Sequence, residues 1–90
     1  MNKRLKHQQS VESIGVVNIK TLTGKNLQVK IRNEMTVRQI KEYLLYQENY
    51  VIKLQRLIFN GQMLKDEFTL DHYGIKDGDW LHLVLELRGC

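Results

Sequence analysis

The chain has little of what covalent, metal or membrane chemistry requires. Its 90 residues include one cysteine, Cys90. No internal disulfide can form, and a lone thiol fits a reducing compartment. No apolar run is long enough to span a bilayer, so no membrane partner is expected. The basic opening stretch lacks the apolar core of a secretory signal, and Cys90 is not followed by the residues of a prenylation box. The sequence also has no Gly-rich phosphate loop, no cluster at metal-ligand spacing and no paired carboxylates around a recognisable site. Neither a cofactor, a metal nor enzymatic activity is therefore expected. Cys90 and His82 would make a thiol and a base, but eight residues of extended strand hold them about 26 Å apart. Charge of one sign is scarce too: 14 lysines and arginines face 10 acidic residues. With no aromatics stacked on a basic face, a nucleic-acid partner is not expected. A monomeric cytoplasmic or nuclear protein is the expectation.

What is present specifies one small folded domain. Ninety residues suffice for a single core, and 42% hydrophobic against 27% charged residues is the balance of a globular chain. Residues 1–14, with Lys3, Arg4, Lys6 and His7 close together, lack periodicity and are expected to form a disordered basic leader. The domain proper is expected over 15–87, and 88–90 as a flexible tail. The most informative stretch is the last, Trp80 to Leu87. Leu81, Leu83, Leu85 and Leu87 recur at every second residue with His82 and Glu86 between them, the alternation of a strand with one buried face. A strand this apolar belongs at the centre of a sheet. Val84 then falls on the open face, among polar neighbours.

Upstream, Val17 and Ile19 alternate with polar residues, as do Leu27, Val29 and Ile31, and Gly24 between them supplies the positive φ of a hairpin turn. Leu22 sits at that turn, exposed. Thr36-Val37-Arg38-Gln39 is a capping box, after which Val37, Ile40 and Leu44 recur at helical spacing. Arg38, Lys41, Glu42 and Gln47 are placed on other faces, Tyr43, Leu45 and Tyr46 are expected to widen the apolar stripe over the sheet edges, and Asn49 is a left-handed cap. A further strand runs from Leu54 to Phe59 and ends at Asn60-Gly61, suited to a type I′ turn. Leu57 points to the core there, which throws Ile58 outward. A short strand at Gln62-Met63-Leu64 follows, then one tight turn capped by Thr69 that carries His72 on its surface, and a turn at Asp77-Gly78-Asp79. The order predicts an α+β domain in which one helix covers one face of a mixed sheet.

Four stretches, in order and at matching spacing, resemble ubiquitin: Lys20-Thr21-Leu22-Thr23-Gly24-Lys25; Gln55 to Phe59 with Gly61; Thr69-Leu70 with Tyr73 and Ile75; and Leu81 to Leu85 continuing to Leu87-Arg88-Gly89. The resemblance runs without a gap from about Gly15 to Cys90. It implies the β-grasp fold, with the first and last strands parallel at the sheet centre. It further implies that Leu22, Ile58, His82 and Val84 form an apolar recognition patch bordered by Lys20, Arg56 and Gly61. A shallow apolar centre with a basic rim binds weakly and reversibly, and the partners implied are ubiquitin-receptor or proteasome-type proteins.

The departures bear on function. The tail Leu87, Arg88, Gly89, Cys90 is similar to that of ubiquitin except that Cys90 stands where its final glycine would be. Glu86 stands where ubiquitin has an arginine. Gln62 and Asp77 occupy the places of its two most used chain-forming lysines, whereas Lys20, Lys25 and Lys41 match ubiquitin lysines. These changes lead to the expectation of a module that binds receptors non-covalently through its patch. The alternative is a covalent ubiquitin-like modifier activated at its C-terminus, which the Cys90 side chain and the Glu86 charge are expected to impede. In air, a slow disulfide dimer through Cys90 is the expected side reaction.

Overall fold

The computed structural model describes residues 13–86. The leader residues Lys3, Arg4, Lys6 and His7 and the tail Leu87–Cys90 lie outside the described residues. The chain runs β1 (Gly15–Thr21), β2 (Asn26–Ile31), α1 (Val37–Glu48), β3 (Gln55–Phe59), β4 (Gln62–Met63) and β5 (Trp80–Leu85), with 3-10 turns at Ile52–Leu54 and Asp71–Tyr73. One sheet holds the strands in the order β2-β1-β5-β3-β4. The first strand pairs in parallel with the last, while the other pairs are antiparallel. This is the β-grasp α+β fold.

Strand parity decides what is inside. Val17 and Ile19 of β1, Val29 and Ile31 of β2, Leu57 of β3, and Leu81 and Leu83 of β5 all lie on the inner face, none more than 2% exposed. Against them packs the stripe Val37, Ile40 and Leu44 of α1, closed at the ends by Met35, Leu64, Leu70 and Ile75. Leu27 and Leu85 are only partly buried and pack at the rim. The Ile52–Leu54 turn takes Leu54 out of the strand predicted to contain it, since the Leu54 amide bonds back to the Val51 carbonyl at 3.0 Å.

The helix forms where its caps allow. The Gln39 amide donates to Thr36 Oγ1 at 3.2 Å and the Thr36 amide to Gln39 Oε1 at 2.9 Å, so two amides of the first turn are satisfied reciprocally. Asn49 ends it with φ 64°, its N–H on the Leu45 carbonyl. Asn60 and Gly61 both have positive φ, 54° and 74°, as a type I′ hairpin between β3 and β4 requires. Thr69 caps its turn by accepting the His72 amide at 3.1 Å, and the His72 ring stacks on exposed Phe68.

The helix surface corrects the sequence reading in two places. Tyr43, Leu45 and Tyr46 do not cover the sheet edges; they are 39, 39 and 84% exposed. Lys41, expected on another face, is instead buried within the apolar stripe. Its ammonium reaches the Asp66 carboxylate at 2.5 Å, and this pairing, with the side-chain stem packed beneath it, is what makes the burial tolerable. The fully buried Gln55 donates to the carbonyls of Lys41 and Tyr50, both at 3.0 Å, tying β3 to the helix and to the loop after it.

Candidate functional site

The same parity that buries Leu57, Leu81 and Leu83 turns their neighbours to the outer face, away from α1. Register aligns them into rows. Lys20 of β1 lies beside His82 of β5, His82 beside Ile58 of β3, and Ile58 beside Met63 of β4. One step along, Arg56 lies beside Val84. Adjacent strands in such rows stand about 4.8 Å apart, so these side chains touch one continuous surface. Leu22 follows Thr21 at the end of β1, where it is 79% exposed. Gly61 forms the β3–β4 turn just beyond Ile58.

All seven sequence-predicted site residues therefore sit at the open face or at the turns that border it. Ile58 and Val84 are half-buried by their neighbours, while His82 and Lys20 are exposed. The result is a shallow surface rather than a cleft. It offers neither a nucleophile with an adjacent base nor, among the described residues, a group of three or more metal-ligating side chains.

The rim differs from expectation in charge. Arg56 is not a lone cation: its Nη2 meets Glu86 Oε1 at 2.5 Å, with both side chains partly exposed. The acid that replaces an arginine in the resemblance to ubiquitin thus neutralises the rim arginine directly beside Val84. Lys20 holds its ammonium 6.0 Å from the centre of the Trp80 ring, at the outer limit of a cation–π contact. Two surface residues escaped the sequence reading. Met63 is 57% exposed beside Ile58, and Trp80 is 48% exposed two residues before His82. The Trp80 position was available from the alternation of its own strand. Met63 was hidden because a two-residue strand has too few positions to declare a parity.

Comparison with known proteins follows the whole domain rather than the patch. A family model described as the ubiquitin family matches residues 17–88. The chain is 42% identical over 74 residues to the NEDD8-like protein RUB1 of Saccharomyces cerevisiae, covering 82% of this chain and 96% of that protein. It is 38% identical over 73 residues to the NEDD8-like protein RUB3 of Arabidopsis thaliana, covering 81% and 94%. The ubiquitin domain-containing protein DSK2 of Saccharomyces cerevisiae is 38% identical over 69 residues, 76% of this chain but 18% of that protein. These matches overturn the expectation of a non-covalent binding module: the NEDD8-like proteins are matched at 42 and 38% identity over almost their whole length.

Proposed function

The chain belongs to the ubiquitin family, and from that premise we propose that it is a ubiquitin-like protein modifier, activated at its C-terminal carboxylate and joined to amines of other proteins. The observation that carries this reading is the near full-length match to NEDD8-like proteins, 96 and 94% of their own length. In this role the chain is the substrate of enzymes and not itself an enzyme. Its carboxylate attacks the α-phosphate of ATP and releases pyrophosphate. An enzyme thiolate then displaces AMP to form a thioester, and an amine displaces the thiolate to form an amide. These steps consume ATP and need free enzyme thiols, so the proposed site of action is the reducing cytoplasm or nucleus.

The folded body contributes recognition. Leu22, Ile58, His82 and Val84, bordered by Lys20, Arg56 and Gly61, are proposed as the surface held by the charging enzymes and read after conjugation by ubiquitin-receptor or proteasome-type proteins. Half-buried aliphatic side chains on a shallow face support binding that is specific but quickly reversed, which suits a chain handed from one enzyme to the next. Glu86 sets the sign of charge next to the tail. An enzyme whose site is built to receive an arginine there would meet a carboxylate instead, a mismatch that typically costs several-fold to much more in affinity.

The test is a charging assay with ATP and two activating enzymes, one serving ubiquitin and one serving the NEDD8-like relatives. A chain ending at Gly89 should form a hydroxylamine-labile adduct with the second enzyme and much less with the first. The chain ending in Cys90 should charge more slowly, because a side chain enters a channel shaped for glycine. Cys90→Ser is run in parallel, since a Cys90 disulfide is also cleaved by reductant. Absence of a thioester from either form with either enzyme would sink the modifier reading.

A further inference from the structure

Beside the start of α1 stands an aromatic stack that neither the core nor the open face uses. The Phe68 and His72 rings lie 4.3 Å apart with their planes 14° from parallel, and the His72 ring meets Tyr73 edge-on at 4.9 Å. Tyr73 packs against the core, whereas Phe68 is 36% exposed and His72 is exposed. Backbone bonds fix where these rings stand. The Lys65 amide donates to Tyr73 Oη at 2.9 Å, the Val37 amide to the Phe68 carbonyl at 3.0 Å, and the Leu70 amide to the Met35 carbonyl at 2.9 Å. Single apolar side chains scattered over a surface need no partner, but two rings held face to face at the solvent boundary form a planar platform in advance of any ligand.

Charge indicates what the platform fits. The chain as a whole carries +4, yet the nine residues from Lys65 to Tyr73 hold three carboxylates and one lysine. Asp66 is occupied by Lys41 at 2.5 Å and by Arg38 at 4.0 Å. Glu67, next to Phe68, and Asp71, next to His72, are exposed and make no ion pair among the described residues. Each ring of the stack thus has an uncommitted carboxylate beside it in the chain. Lys65, also without an ion pair among the described residues, stands at the Tyr73 end of the cluster, where its amide is bonded.

We propose that this platform receives an arginine side chain from a basic segment of a partner protein, the guanidinium lying flat on the Phe68–His72 stack and donating to Glu67 or Asp71. A guanidinium is planar, is attracted to aromatic faces and forks onto carboxylates, a combination that the compact ammonium of lysine does not offer. The site adjoins α1 and not the outer face that carries Ile58 and Val84, so both surfaces can be occupied at once. It does not depend on activation of the tail.

The experiment uses the full isotope-labelled chain and a synthetic peptide of glycines and two arginines, followed by amide and ring-proton shifts. The expected result is a set of shifts confined to the amides of Glu67 to Tyr73 and the rings of Phe68 and His72, with the arginine side-chain protons of the peptide moved upfield by the ring currents. A peptide with lysine in place of arginine should bind about threefold more weakly, and Phe68→Leu should weaken arginine binding by a similar factor. Glu67→Gln combined with Asp71→Asn changes only exposed positions and should weaken binding about fivefold or more with an otherwise native spectrum. The proposal is overturned if millimolar arginine peptide leaves these signals unmoved, if the lysine peptide binds equally well, or if the shifts centre on Ile58, His82 and Val84. Replacing Lys3, Arg4 and Lys6 together by glutamine must leave the same signals in place when no peptide is present. Movement there would make the occupant the chain's own basic segment and overturn the proposal as well.

Discussion

The two faces of the sheet are built from the same strands and differ by one residue in phase, yet they do different work. On the inner face Leu57, Leu81 and Leu83 are at most 1% exposed. On the outer face their immediate neighbours Ile58 and His82 meet solvent. The inner residues have no freedom to change because every one touches another core side chain. The outer residues are held in position by those same strands and are free to vary with the partner. Stability and recognition are thus interleaved along one backbone.

The largest effect that would break this comparison is a core truncation. Leu83→Ala and Leu57→Ala should each cost about 2–5 kcal/mol, the lost transfer energy plus the cavity left in a packed interior. Their neighbours His82→Ala and Ile58→Ala should cost much less, within about 0.5 kcal/mol for exposed His82 and near 1 kcal/mol for half-buried Ile58. Urea unfolding of the four variants is the measurement. Equal losses on both faces would mean that the outer face is also structural and that patch variants cannot be read as binding variants.

How much of this was legible in the sequence depends on whether residue type and residue position agreed. In β5 they did: Leu81 and Leu83 are apolar and correctly spaced, so the buried face, the central placement and the outward His82 and Val84 all followed. In α1 they disagreed. Tyr46 is apolar by type but lies about 180° around the helix from Val37, whereas Lys41 is charged by type and lies within about 40° of it. Reading by type put Tyr46 over the sheet and Lys41 on a face away from the apolar stripe, and the structure reverses both. The expectation of a non-covalent module failed for a related reason. Glu86 was weighed as a defect against ubiquitin, although a modifier of the kind proposed, served by other enzymes, need not keep ubiquitin's arginine at that position.

Lys41 gives the second prediction, of intermediate size. Its side chain is 7% exposed while that of Asp66 is 36% exposed, so the two partners are not equivalent. Asp66→Asn strands a buried ammonium and should cost about 1–3 kcal/mol, below the full penalty of a wholly buried pair because water reaches this site. Lys41→Met keeps the stem in the stripe and leaves Asp66 able to turn to solvent, so the loss should stay under about 1 kcal/mol. Thermal unfolding would order the two variants. If Lys41→Met were the worse, the lysine would owe its place to its charge rather than to its packing.

The smallest effect concerns the exposed counterpart of that pair. Glu48 bonds to Lys25 at 2.7 Å, and this hydrogen bond, reinforced by the nearby negative charge, holds the Lys25 ammonium above its ordinary value of 10.5. Because the folded value is the raised one, the pair's contribution is complete below 10.5 and is lost as pH climbs through the raised folded value. The Lys25 side chain is half exposed to water, so little stability is at stake at neutral pH. Reactivity is a more sensitive readout, since only the neutral amine attacks an acyl group. Lys25 is one of the lysines that match ubiquitin's, and in a modifier such an amine would be the acceptor for a second copy. The expected outcome is that Glu48→Gln speeds acylation of Lys25 by a small-molecule ester at pH about 10, read residue by residue by mass spectrometry. Acylation elsewhere should be unchanged. An unaltered Lys25 rate would mean that the carboxylate does not govern the amine, and that this exposed pair, unlike Lys41 with Asp66, has no consequence for the chain.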